Sequence, residues 1–136
     1  MYNRIVVAVD ITHGELGKML LERAAQLLDD GGEIRLLHVL DEVPSYIAAE
    51  LPQDLSERRN AEARVELKAL AEGTPVSVRI EVRSGAASGQ ILQCAEDIEA
   101  ELIMIASHRP GLSDYFIGST AARVVRHAQC SVLISR

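Results

Sequence analysis

Apolar and polar residues fall in blocks along this chain, and each block has its own period. Ile5 to Val9 is an unbroken apolar run ending at Asp10, the pattern of a parallel strand covered on both faces. From Gly14 to Leu28 the residues Leu16, Met19, Leu20, Ala24, Leu27 and Leu28 recur at helical spacing, with Thr12 and Glu15 at the interval of a capping box. Asp29-Asp30-Gly31-Gly32 ends that helix, and Glu33 to Leu40 predicts a second strand. Asp41 to Asp54 carries Pro44 and Pro52 and is the longest connection, with a short helix expected near Tyr46 to Glu50. Leu55 to Ala71 predicts a charged amphipathic helix with Ala63, Leu67 and Leu70 inward. Pro75 to Arg83 alternates Val76, Val78, Ile80 and Val82 with polar residues, a strand with one exposed face at a sheet edge. Ser84-Gly85-Ala86-Ala87 turns into a helix from Ser88 to Ile98, with Ile91, Leu92 and Ala95 inside.

The last third organises the rest. Leu102 to Ala106 is short and apolar enough for a buried strand. A polar loop, Ser107-His108-Arg109-Pro110-Gly111-Leu112-Ser113-Asp114, follows it. Gly118-Ser119-Thr120 then opens a helix from Ala121 to Ala128, and Cys130 to Ser135 is the final strand. Strict alternation of strand and helix implies a parallel sheet with helices on both faces and right-handed crossovers. The expected fold class is α/β, a doubly wound, Rossmann-like sheet of strand order 3-2-1-4-5 formed by one domain, residues 1–136. Its switch point lies between strands one and four, so a ligand belongs beyond their carboxyl ends, where Asp10 and Ala106 meet.

That position has the chemistry of an anion site. A strand, a loop with glycine and hydroxyl groups, and a helix start present free N–H groups and the positive end of a helix dipole. Gly118 lets a phosphate approach the backbone, and Ser119 and Thr120 either cap the helix or contact the phosphate. An ordinary strand-to-helix turn has the same local pattern. Charge narrows the partners: a net −6 argues against nucleic acid held on a broad basic surface. With no Trp and one Phe, stacking on bases has little to work with. No apolar run approaches membrane-spanning length. Met1-Tyr2-Asn3-Arg4 leads directly into a strand, so no signal peptide is expected. Cys94 and Cys130 belong to no metal or dithiol motif and read as small core residues, which suits a cytoplasmic setting. Phosphate-loop, dinucleotide-fingerprint and nucleophile-elbow motifs are absent from the sequence, and no residues have metal-ligand spacing.

Ala106-Ser107-His108-Arg109-Pro110-Gly111-Leu112-Ser113, then Gly118-Ser119, then Val124 to Ile134, resembles the C-terminal signature of the universal stress protein family. In its ATP-binding branch the signature reads G-x2-G-x9-G-[ST]. Here Ala106 stands at the first glycine, the second is missing, and the loop is one residue shorter. Ile5 to Asp10 is similar to the family's first strand and its aspartate, Leu37-His38-Val39 to the end of its second strand, and Ser84 to Ala87 to the turn before its third helix.

The resemblance implies an ATP site made of Ala8, Val9 and Asp10, of Val39, of Ala106, Ser107, His108 and Arg109, and of Gly118, Ser119 and Thr120. In it the Val39 backbone reads adenine, Asp10 lies by base and ribose, and the Gly118 turn holds phosphates. Magnesium, if present, is held by those phosphates. It also implies a homodimer through the C-terminal strand, 130–135, with higher oligomers open. Arg109 replaces lost backbone contacts with a charged one, or is a solvated loop residue like His108. Asp10 has the alternative of capping its own turn. His38 reads as packed or hydrogen-bonded rather than catalytic, and Arg126 and His127 as last-turn residues matched to the helix dipole.

Three functions follow: a nucleotide-binding stress-response protein acting through conformation or partners, a slow ATP hydrolase or self-phosphorylating enzyme in the same pocket, and a ligand-free dimerisation module.

Overall fold

The computed structural model of the protein describes residues 1–41, 45–50, 53–107 and 118–136. In chain order the elements are β1 (Tyr2–Ala8), a 3-10 turn (Ile11–His13), α1 (Gly14–Leu27), β2 (Leu28–Leu40), the short α2 (Ser45–Ala48), α3 (Gln53–Ala71), β3 (Val78–Ser84), α4 (Ala87–Asp97), β4 (Leu102–Ala106), α5 (Ser119–His127) and β5 (Ser131–Ser135). The strands form one parallel sheet of order β3-β2-β1-β4-β5, the order expected from the alternation. Successive side chains of a strand point to opposite faces. Ile5 and Val7 therefore join Leu20, Leu21, Leu36, Leu67 and Met104 in a core under α1 and α3. Val6 and Ala8 join Leu37, Ile91, Ile103, Ala121 and Val124 under α4 and α5. A sheet covered on both faces is why β1 reads as a continuous apolar run. On α3, Ala63 and Leu67 are buried and Leu70 packs at their margin, the inner stripe read from spacing.

Two local expectations are corrected. Thr12 does not cap α1: the N-cap is His13, which makes no side-chain capping bond. The chain first takes a 3-10 turn, and its cap is Asp10, which accepts from the Thr12 N–H at 2.9 Å and the Thr12 hydroxyl at 2.7 Å. A shorter interval to a stronger acceptor outcompetes the capping box. The second correction concerns residues 28–32, where α1 ends at Leu27 and β2 begins at once. The two glycines bend the strand instead of preceding it. Gly31 has φ +80°, and a Cβ on Gly32 would lie 2.7 Å from the Asn3 carbonyl. The pairing with β1 slips there, from Tyr2↔Leu28 to Arg4↔Glu33.

At the edge, β3 packs Val78, Ile80 and Val82 toward α3. Its polar face is not simply exposed, because α4 covers part of it. Arg35 and Arg83 each bind one carboxylate oxygen of Glu81, and Arg83 reaches on to Asp97 at 2.9 Å. Glu81 is 21% exposed and Arg35 16%, so this network is largely withdrawn from water. Burial pushes the Glu81 carboxyl up, but the bonds from Arg83 and Arg35 prevail and hold it below the usual glutamate range. Glu81→Gln leaves two half-buried guanidinium groups short of an anion and is expected to cost about 1–3 kcal/mol at pH 7. The folded state has the lower pKa, so the stabilisation is complete above the unfolded value of about 4.3 and fades as pH falls through the folded one. Urea unfolding should show the mutant deficit closing in acid; a deficit independent of pH contradicts an ionic origin. The same network faces Cys94, whose thiol is pushed up to about 11, first by burial and then by Glu81. It is an inert core thiol.

Candidate functional site

Beyond the carboxyl ends of β1, β2 and β4 lies a cleft of about 740 Å³. Six of the residues expected at the site line it: Ala8, Val9, Asp10, Val39, Ala106 and Thr120. Ser107 and Gly118 are joined to each other, the Gly118 N–H donating to the Ser107 hydroxyl at 3.0 Å. Ser107 is held in turn by its own N–H, which donates to the Ser135 carbonyl at 2.8 Å. Ser119 is exposed on the first turn of α5 and does not line the cleft. His108 and Arg109 lie outside the described residues, as do Pro44 and Pro52 of the long connection.

The start of α5 differs from one capped by a hydroxyl. Gly118 is the N-cap, with φ −55° and ψ 155°, and among the described residues no side chain caps the helix. Ser119 and Thr120 are already its first two helical residues, so their hydroxyls sit past the capping position. The N–H groups of the first turn consequently have no intrahelical partner, and the helix dipole adds to their pull on an anion.

The opposite wall is built by β2 outrunning β1. In a parallel strand the N–H and C=O of alternate residues face the same neighbour. Leu37 faces β1, its carbonyl accepting from Val9 at 2.9 Å, and Leu40 faces β3, its carbonyl accepting from Gly85 at 3.0 Å. Val39 therefore faces β1, which ends at Ala8. The next rung would place the Val39 N–H on the Val9 carbonyl. That carbonyl instead meets Nδ1 of His38 at 3.0 Å, and among the described residues the rung does not form. A backbone donor and acceptor are left side by side at the cleft.

Asp10 caps its turn and lines the cleft at once, so its two readings coincide. Partial burial raises its carboxyl, but the Thr12 hydroxyl and N–H lead the effects that outweigh it and hold it below the ordinary aspartate value. Several lining residues were not anticipated: His13 and Gly17 near the start of α1, Asp41 after β2, Ala87 and Ile91 on α4, and Arg59 and Glu62 on α3. Arg59 was legible, since it lies four residues before Ala63 on the inner stripe and three before Glu62.

Fold and cleft together define a class, the doubly wound α/β proteins with their ligand crevice at the switch point between β1 and β4. Within that class the chain belongs to the universal stress protein family, whose sequence profile matches residues 1–136. It is 31% identical over 142 residues to universal stress protein G of Shigella flexneri, the alignment covering all of both chains. Among solved structures, hypothetical protein MJ0577 superposes with a TM-score of 0.82 at 24% identity, over 99% of this chain and 96% of that one. A universal stress protein in complex with cAMP superposes at 0.64 and 21% identity, over 99% and 97%. At those identities the two structures establish the shared fold.

Proposed function

We propose that the protein binds an adenine nucleotide, ATP foremost, in this cleft and acts in stress response through ligand-dependent conformation or partner binding. The observation that carries the reading is the Val39 backbone, unpaired among the described residues. Its N–H and C=O complement the ring-nitrogen acceptor and amine donor on the Watson–Crick edge of adenine, whereas guanine offers the reverse order. Thr120 and the free first turn of α5 supply the anion end of the same cleft. Ala8, Val9, Asp10, Ala106 and Ser107 line or brace the space between, and His108, Arg109 and Ser119 complete the proposed contacts. Family membership supports the assignment, and so does the related protein in complex with cAMP. Among the described residues no group of three or more His, Cys, Asp or Glu could hold a metal ion. Magnesium arriving with ATP would be held by the phosphates, its usual arrangement.

A cytoplasmic setting and a homodimer through β5 belong to the same proposal. No described helix is long and apolar enough to cross a membrane. The β5 run Val132-Leu133-Ile134 is half-buried and carries neither charge nor proline, the common protections of a free edge. Heat denaturation of freshly purified protein should release adenine nucleotide into the supernatant. ATP there supports a binding protein, and ADP alone points to turnover in the same pocket. No released nucleotide, together with no saturable ATP binding, contradicts the proposal.

A further inference from the structure

His38 reads from sequence as packed or hydrogen-bonded within a strand, and it is both. The side chain is 9% exposed and lines the cleft. Its Nδ1 lies 3.0 Å from the Val9 carbonyl. A carbonyl only accepts, so Nδ1 carries the proton. In the neutral ring Nε2 is then an acceptor, and among the described residues no protein group pairs with it. Nε2 is not fully buried: it opens onto the cleft, where a bound donor can reach it. The bond to Val9 also fixes the ring's tautomer and orientation, as partners of functional histidines do. The same carbonyl lies where the next rung to Val39 would end, so the His38 acceptor stands beside the open strand edge.

We propose that His38 is a specificity-determining residue of the cleft, its Nε2 accepting a hydrogen bond from an N–H or O–H donor of the bound nucleotide. This rests on the nucleotide reading above and deepens it. Adenine nucleotides offer two such donors, the 6-amine of the base and the ribose hydroxyls. Asp10, Asp41 and Glu62 also line the cleft and offer carboxylate acceptors, one oxygen of Asp10 being taken by Thr12; the ligand cycle on His38 therefore has to separate Nε2 from them.

The test is a cycle of protein and ligand substitutions. His38→Asn retains an amide N–H near the position of Nδ1, preserving the bond to Val9, and has no atom at Nε2. Calorimetry compares wild type and His38→Asn with ATP, 2′-deoxy-ATP, 3′-deoxy-ATP and purine riboside triphosphate, which lacks the 6-amine. ATP is expected to bind the variant about five- to tenfold more weakly, the worth of one buried hydrogen bond. One analogue should lose the same factor against wild type and nothing further against the variant, and which analogue it is identifies the donor. Should both proteins discriminate equally among all four ligands, His38 is structural and the proposal is overturned while nucleotide binding stands. If wild type binds none of them, both readings fall together. Circular dichroism and His38→Gln, whose longer amide reaches toward the Nε2 position, separate a folding defect from a lost acceptor: recovery of discrimination in Gln supports the proposal.

Discussion

Val132→Pro is expected to weaken the proposed β5 homodimer at least about fivefold while leaving the fold intact. The choice of residue comes from the direction of the backbone groups in β5. The Ser135 carbonyl accepts from Ser107 beside β4, so Ser131, Leu133 and Ser135 direct their backbone groups inward, and Val132 and Ile134 direct theirs to the open edge. Proline at Leu133 would break the sheet itself. At Val132 it removes an outward N–H and no rung of the sheet, at the cost of trimming a half-buried side chain packed against the core under α4 and α5. In a pairing between two copies of β5 the loss is counted twice, once for each chain. At about 0.5–1.5 kcal/mol per bond, dimer affinity should fall at least about fivefold, and more where the ring also obstructs the approach. Light scattering across a dilution series, with circular dichroism alongside, reads the outcome. A wild-type protein that is monomeric at micromolar concentration contradicts the interface.

What was legible in the sequence is what a local period records. The run from Ile5 to Val9 reads as a strand because both faces are covered, and Ala63 and Leu67 are four apart because one stripe of α3 faces the sheet. Alternation and handedness imply a doubly wound parallel sheet, and 3-2-1-4-5 is one of the orders such a sheet takes, with the crevice where Asp10 and Ala106 meet. Contacts that join distant segments leave no such trace. Glu81 looked like the solvent side of an edge strand, yet Arg35 on the neighbouring strand and Asp97 on α4 draw the network inward. Thr12 and Glu15 satisfied a capping rule that Asp10 overrode from two residues away. The glycine pair at 31 and 32 was read as a stop, because nothing nearby in sequence says that Asn3 lies against Gly32.

The candidate site divides along the same line. Asp10 and Ala106, at the ends of β1 and β4, belong to the crevice by topology and by family resemblance together, and Val39 by resemblance alone. Arg59 and Glu62 reach it from a helix read only for its inner apolar stripe. His38 reads as packed or hydrogen-bonded, and a single sequence gives no sign that one of its nitrogens is committed to Val9 and the other left open.

Nucleotide binding at the start of α5 is the central claim, and ATP calorimetry on wild type and Gly118→Val tests it most directly. Gly118 has φ −55° and ψ 155°, a conformation any residue adopts, so valine adds no backbone strain. It adds three carbon atoms where a phosphate oxygen would meet the first N–H groups of the helix. After bound nucleotide is removed, wild type should titrate with ATP to one site per chain. The variant should bind at least tenfold more weakly, about 1.4 kcal/mol, with an unchanged circular dichroism spectrum. Equal ATP affinity in the two proteins, or no binding by wild type, would contradict the claim.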